Sequence, residues 1–186
     1  MRVHGGRASG IDARTVIAGK PQIFMKRFNP LRYDVTDAGL SLPKGTSLIV
    51  IDTYRGKRQS TGQLTAHFAE VHGIKVKPWE LGEEERVKLL APYAKIFKGM
   101  VAELKAEGNA KKLGKLMNAN QKLLGCVSSK GIKRAVAAAR KAGAYGAKLT
   151  GAGGEGGAVI TLVPKKKVRK IVNACKKLGF RAFEAL

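Results

Sequence analysis

Seven glycines fall between Gly143 and Gly157, and the runs that interrupt and follow them are short and apolar. No helix persists through such a stretch, because each glycine adds backbone freedom that a helix must freeze. The segment therefore reads as strand, loop, strand: Ala147–Thr150, the glycine loop 151–157, then Ala158–Val163. The alanine-rich run Ile132–Ala142 before it reads as a helix stopped by Gly143. After it come an amphipathic helix, Lys165–Leu178, and a last strand from Phe180. Strand, loop, strand, helix, strand is the rhythm of a ferredoxin-like α+β sandwich. Clustered glycines also let backbone approach a ligand or another loop closely. Consecutive N–H groups in such a turn make an anion-binding concavity. On local features alone, a tight hairpin turn is the alternative reading.

Upstream, Gln22–Phe28 and the β-branched run Ser47–Asp52 read as strands. Residues 29–46 hold Pro30, Pro43 and Gly45 and read as turns. Four helices precede the glycine segment. Thr61–Val71 carries Leu64, Phe68 and Val71 on one face. Glu83–Glu107 carries Val87, Leu90, Ala94, Phe97, Val101 and Leu104 at three-to-four spacing, with Glu83 to Glu85 at its start. Pro92 is expected to kink that helix or split it. Ala110–Leu124 and Ile132–Ala142 complete the set, and 73–82, with Pro78 and Trp79, is a loop. Near the start, Ser9 is placed to N-cap a helix from Gly10 or Ile11.

A chain of 186 residues holds one ordinary domain, or one domain and a piece of another. No apolar run reaches the roughly 20 residues that cross a bilayer. The start, Met1 to Arg7, has no apolar core of a secretory signal. Cys126 and Cys175 have no metal-type spacing and read as reduced thiols of a cytoplasmic protein. The net charge of +23 attracts polyanions, so nucleic acid must be weighed. Yet the lysines are spread over every helix and no aromatic residues interleave with them. The densest cluster, Pro164–Lys170, runs into Ile171, Val172, Cys175 and Leu178, so it reads as the solvated face of a helix. A nucleic-acid binder is the weakest of the functional readings.

Two segments carry chemistry. In Gly6-Arg-Ala-Ser-Gly-Ile-Asp12, Asp12 falls in a first helical turn, either as a plain exposed aspartate or as a group that accepts a hydroxyl proton. The other is the glycine loop. Its wording, Lys148-Leu-Thr-Gly-Ala-Gly-Gly, resembles the C-terminal signature of the GHMP kinase superfamily, and of mevalonate kinases in particular. Gly6-Arg-Ala-Ser-Gly-Ile-Asp12 resembles their Gly-x-Pro-Ser-Gly-Ile-Asp motif. Asp52-Thr-Tyr-Arg-Gly-Lys-Arg-Gln-Ser-Thr-Gly-Gln-Leu64 resembles their Asp-Thr-Gly-x-x-Arg-Ser-Thr-x-x-Leu segment. Met117-Asn-Ala-Asn-Gln-Lys-Leu-Leu124 resembles their Met-Asn-x-Asn-x-x-Leu-Leu segment. The four likenesses keep the family's order, span nearly the whole chain and look closest to archaeal forms.

The resemblance implies an α+β fold: the family's ferredoxin-like C-terminal sandwich over 47–186, preceded over 1–46 by the tail end of its ribosomal-S5-like N-terminal domain. It implies ATP-dependent phosphorylation of an alcohol, with mevalonate first and the mevalonate pathway of isoprenoid biosynthesis as its setting. Phosphomevalonate, homoserine, galactose and pantoate are the other acceptors the superfamily uses. Asp12 would take or orient the proton of the attacking hydroxyl. Ser9, Thr61, Thr150 and Ala152 would lie near the substrate. Lys148, Gly151, Gly153 and Gly154 would support the nucleotide phosphate loop. ATP and Mg2+ are the implied cofactors. The main phosphate loop, Pro-x-x-x-Gly-Leu-Gly-Ser-Ser-Ala, does not occur in this sequence, and the metal ligands are expected on an N-terminal part. The chain is thus expected to be a separately encoded subunit or a shortened kinase, inactive alone, partnered by an N-terminal half or by a second copy. A kinase-derived regulatory module without catalysis is the second reading. Glu155 stands where the family has glycine, Gly157 replaces its cysteine and Ala8 its proline. The family's arginine falls among Arg55, Lys57 and Arg58.

Overall fold

The computed structural model describes residues 11–27, 32–37, 39–76, 80–105 and 108–185, and for Asp12 the backbone but not the side chain. The architecture is α+β. Four strands form the main sheet: β3 (Thr46–Asp52), β4 (Gly146–Thr150), β5 (Ala158–Pro164) and β6 (Arg181–Glu184). Their order is β4-β5-β3-β6, and each neighbouring pair is antiparallel. Before the sheet come α1 (Ile11–Ala18) and a separate two-stranded ribbon of β1 (Gln22–Arg27) and β2 (Arg32–Asp37). Between β3 and β4 run α2 (Thr61–Val71), α3 (Glu83–Lys105), α4 (Ala110–Leu123) and α5 (Lys130–Lys141). A 3-10 turn, Lys165–Lys167, leads from β5 into α6 (Val168–Lys177). The strand order and the β–helices–β–β–α–β sequence are those of the expected ferredoxin-like sandwich.

Alternation along the strands divides the core. Ile49 and Ile51 of β3, Val159 and Val163 of β5 and Leu149 of β4 face α5 and α6. There they meet Ile132, Ala135, Val136, Ala139, Ile171 and Cys175. Leu48, Ile160 and Leu162 point the other way, to Leu113 and Met117 of α4 and to Met100 and Leu104 of α3. Each of the large apolar side chains fully buried here contributes about 1.5–3 kcal/mol by leaving water. Burial also pushes the Cys175 thiol up to about 11, so it stays protonated and inert near neutral pH.

α4 packs unusually close to β4. A Cβ at Gly114 would stand 2.4 Å from the Tyr145 carbonyl, and one at Gly146 would stand 2.3 Å from the Gly114 oxygen. That approach lets α4 close the sheet's edge. The Ala147 N–H donates to Asn118 Oδ1 (3.2 Å), the Leu149 N–H donates to Gln121 Oε1 (2.6 Å), and Asn118 Nδ2 donates to the Tyr145 carbonyl (3.2 Å). Asn118 and Gln121, three apart on one helix face, thus satisfy edge amides that would otherwise be free to pair with another chain. Gly114→Ala should lower stability by about 2 kcal/mol. The crowding outweighs the roughly 1 kcal/mol that alanine gains as a better helix former. Urea-unfolding midpoints of the two proteins test this, and an unchanged or higher midpoint for the variant would refute the close packing.

Three expectations need correction. Residues 29–46 are not all turn: β2 pairs with β1 from Gln22↔Asp37 to Arg27↔Arg32. Tyr33, Val35 and Thr36 are strand formers, and Arg27 Nε donates to Asp34 Oδ2 (2.8 Å) across the ribbon. Prolines and glycines outside that run outweighed it in the sequence reading. Next, Pro92 does not split α3, which is one helix with Pro92 inside it. Pro92 is exposed, and packing along the opposite side sustains the helix past the hydrogen bond that proline lacks. Finally, the apolar stripe expected to bury α3 is largely in water. Val87, Leu90, Ala94 and Phe97 are exposed, while Leu89, Tyr93, Ile96 and Met100 turn inward. The remaining boundaries agree to within a few residues; Ser9, Gly10, Pro78 and Trp79 lie outside the described residues. No helix among the described residues is long and apolar enough to cross a membrane.

Candidate functional site

The glycine loop between β4 and β5 is fixed from two sides. On one side the Gly154 N–H donates to the Val127 carbonyl (2.7 Å), at the end of a 3-10 turn over Gly125–Val127. On the other, Gln59 clamps Glu155 twice: its N–H donates to the Glu155 carbonyl (3.0 Å), and its side-chain oxygen accepts from the Glu155 N–H (2.8 Å). At the base, Thr53 donates to the Gly157 carbonyl through Oγ1 (2.6 Å) and N–H (3.2 Å). The glycines are required where these walls are closest. Gly153 has φ 87°, and a Cβ there would stand 2.5 Å from the Val127 oxygen. Gly154 has φ 69°, and a Cβ there would meet Gln59 Oε1 at 2.6 Å and Leu64 Cδ2 at 2.7 Å.

The same clamp brings the start of α2 against the loop. Ser60 caps α2 in a reciprocal box with Gln63: the Gln63 N–H donates to Ser60 Oγ (3.2 Å), and the Ser60 N–H donates to Gln63 Oε1 (2.9 Å). Thr61 opens the helix and is exposed. The start of α5 is close by as well. Ser129 accepts from the Ile132 N–H (3.3 Å), and a Cβ at Gly131 would touch Thr53 at 3.4 Å. Two helix N-termini, each with a partial positive charge, therefore flank the loop.

Thr150, Gly151 and Ala152 are exposed at the loop's crest, while Gly153 and Gly154 are buried beneath it. The N–H groups of Ala152 and Gly153 have no partner among the described residues. Such a surface can take an anion without any charged side chain. Lys148 stands below, half-buried on β4, with Nζ donating to the Leu149 carbonyl (2.6 Å). Burial lowers its pKa. Of the three candidate cations in 54–59, Arg55 is committed elsewhere. Its Nη2 donates to the Leu178 carbonyl (2.7 Å), and its guanidinium lies 5.3 Å from the Phe180 ring centroid. Arg58 lies over Tyr54 at 5.7 Å. Lys57 and Arg58 border the loop, since a Cβ at Gly156 would stand 2.6 Å from the Lys57 carbonyl oxygen and 3.3 Å from Arg58 Cα. Glu155 is exposed and is held there by its backbone.

Comparison with known proteins gives this arrangement its family. Residues 100–180 match the family described as GHMP kinases C terminal. Over that stretch the chain is similar to the C-terminal domain of GHMP kinases. The mevalonate kinase of Pyrococcus horikoshii is 35% identical over 178 residues, covering 94% of this chain and 48% of that protein. That of Aeropyrum pernix is 31% identical over 186 residues, covering 99% of this chain and 52% of that protein. The crystal structure of L. major mevalonate kinase in complex with R-mevalonate superposes with a TM-score of 0.76. Its identity is 24%, and the match covers 94% of this chain and 50% of that one. The chain spans about half the length of the curated relatives it matches.

The GHMP kinase segment brings Thr150, Gly151, Ala152, Gly153 and Gly154 together in one loop and sets Thr61 beside it. Ser9 and the Asp12 side chain lie outside the described residues, although the Asp12 backbone falls in the first turn of α1. Sequence reasoning missed Gln59, whose amide holds the loop from across the site. Its only signal was its place just before the Ser60 cap. No group of three or more His, Cys, Asp or Glu among the described residues could hold a metal ion.

Proposed function

We propose that this chain supplies the acceptor side and the second wall of the nucleotide site in an ATP-dependent small-molecule kinase, with mevalonate as the alcohol. The single observation that carries the reading is the pair of unpartnered amides, Ala152 on the exposed crest and Gly153 just beneath it, in a loop flanked by two helix N-termini. That geometry fits a phosphate and leaves chemistry to be supplied from outside. ATP supplies the phosphoryl group and Mg2+ the charge that neutralises it, both held chiefly by an N-terminal part that carries the main phosphate loop. Lys148, Gly151, Gly153 and Gly154 support the phosphate side from below.

On the acceptor side, Ser9, Thr61, Thr150 and Ala152 orient the alcohol, and Asp12 takes the hydroxyl proton as its oxygen bonds to the γ-phosphorus and the bond to ADP breaks. Of the cations in 54–59, Lys57 and Arg58, which border the loop, are the two that serve the site, because Arg55 is occupied at the end of α6. Glu155 does not block this reading, since the Gln59 clamp keeps that residue exposed. The cytoplasm is the compartment that fits such a kinase.

The test is complementation. The chain alone should give no ATP-dependent product from mevalonate. Mixed with an N-terminal half carrying Gly-Leu-Gly-Ser-Ser, it should form 5-phosphomevalonate. Activity of the isolated chain would overturn the shared-site reading. No activity from the mixture with mevalonate, phosphomevalonate, homoserine, galactose or pantoate would instead leave a kinase-derived regulatory module.

A further inference from the structure

α5 and α6 lie side by side and bury their inner sides against the sheet. Their outer sides leave a groove of about 520 Å3. Its floor is Ala137, Ala138 and Ala142 along α5 and its cap, with Ala174 and Leu178 along α6 and its cap. The two helices run in opposite directions. Lys167, just before α6, reaches Gly143, just past α5, and Arg134 near the start of α5 lies 6.0 Å from the ring of Phe180, just past α6. Arg134 and Lys177 therefore rim one end of the groove, and Lys141 and Lys170 rim the other. Along each helix the two rim cations are seven residues apart, two turns or about 10.5 Å. All four are exposed, and none forms an ion pair among the described residues.

Charge selects the occupant. Residues 130–141 and 165–177 hold twelve lysines and arginines and no aspartate or glutamate, so the groove faces an unopposed positive field. The floor is apolar, so the occupant must be apolar on one side and acidic along its flanks. A nucleic acid meets only half of this. Neither helix carries an aromatic residue for a base to stack on, and phosphates at the rim would leave the floor wet. A lipid surface calls for large apolar side chains that protrude, whereas this face is concave and its one large floor residue, Leu178, is half-buried. A helix laid between α5 and α6 meets both demands. Its large apolar side chains fill the alanine floor, and carboxylates seven residues apart on each flank reach the paired cations of each rim. We propose that the α5–α6 groove docks an acidic amphipathic helix of a partner protein. Opposite charge steers that helix to the groove and sets its register, and the apolar floor holds it there.

Fluorescence anisotropy tests this with the full chain and a synthetic three-heptad peptide, leucine at its inward positions and glutamate on both flanks, which keeps it from pairing with itself. The expected Kd at physiological salt is on the order of 10 μM. Replacing the leucines by serine should weaken binding about a hundredfold. Lys141→Glu with Lys170→Glu should weaken it about tenfold. Lys111→Glu with Lys115→Glu, the same charge change on exposed residues of α4, should weaken it by less than about threefold. Ala137→Asp, at an exposed position on the groove's floor, should keep the circular dichroism of the parent and match the loss of the first pair. No binding up to about 1 mM peptide overturns the proposal. Equal binding of the serine peptide, or equal losses from the two lysine pairs, leaves only a general attraction for polyanions and overturns it as well. So does single-stranded RNA or a phosphatidylserine vesicle that binds more tightly than the peptide and loses that affinity with Lys141→Glu and Lys170→Glu.

Discussion

Gly153→Ala should cost about 2–4 kcal/mol of stability, more than the same change at Gly151 on the loop's crest. Two effects add. A φ of 87° is a conformation that L residues avoid, at roughly 1 kcal/mol or more. The new methyl would also stand 2.5 Å from the Val127 carbonyl oxygen, well inside contact distance. Both groups belong to a packed interior, because Gly153 and Val127 are buried, so relief requires moving the 3-10 turn between α4 and α5. Overpacking of this kind costs about 1–3 kcal/mol.

Gly151 supplies the control. Its φ of 71° carries the same backbone penalty, but a Cβ there meets nothing within 4 Å. Gly151→Ala should therefore cost only about 1 kcal/mol. Chemical unfolding of the parent and the two variants separates the terms. Equal losses for both variants would show that the Val127 contact does not constrain the loop.

That contrast explains what the sequence could and could not disclose. Local rules sufficed for the sheet and most helices. The strand–loop–strand of 147–163 follows from glycine's freedom and β-branched runs, and the β-branched run Ser47–Asp52 read as a strand. The wording of the loop pointed to the GHMP kinases. Which glycine matters was not legible, because it depends on Val127 and Leu64, brought in by two other elements. The Gln59 clamp was hidden for the same reason, joining positions 96 residues apart. β2 was missed because flanking prolines and glycines spoke louder than Tyr33 and Val35. The α3 stripe misled for a subtler cause: periodicity reports an apolar face without saying which neighbour covers it. Tyr93 and Met100 bury the helix in its own fold, and the stripe is left over.

Asp12→Asn should cut turnover of the reconstituted kinase by about a hundredfold to ten-thousandfold, the range lost when a positioned general base is removed. The change keeps size and hydrogen-bonding capacity and removes only the negative charge and the basic lone pairs. Asp12 is the second residue of α1, so its backbone is set by a helix that asparagine also accepts. The loss should therefore fall on kcat, with KM for mevalonate within about threefold, since a group that acts on the proton in transit contributes little to ground-state binding. Thr61→Ala offers the opposite pattern. Thr61 is exposed beside the loop, and its carbonyl already serves the Thr65 hydroxyl (2.8 Å), so losing its own hydroxyl leaves α2 intact. Its effect should appear mainly as a higher KM. Full turnover by the Asp12→Asn protein would remove Asp12 from the chemistry. The glycine crest would then stand as a phosphate support whose acceptor-side base lies on the other half of the enzyme.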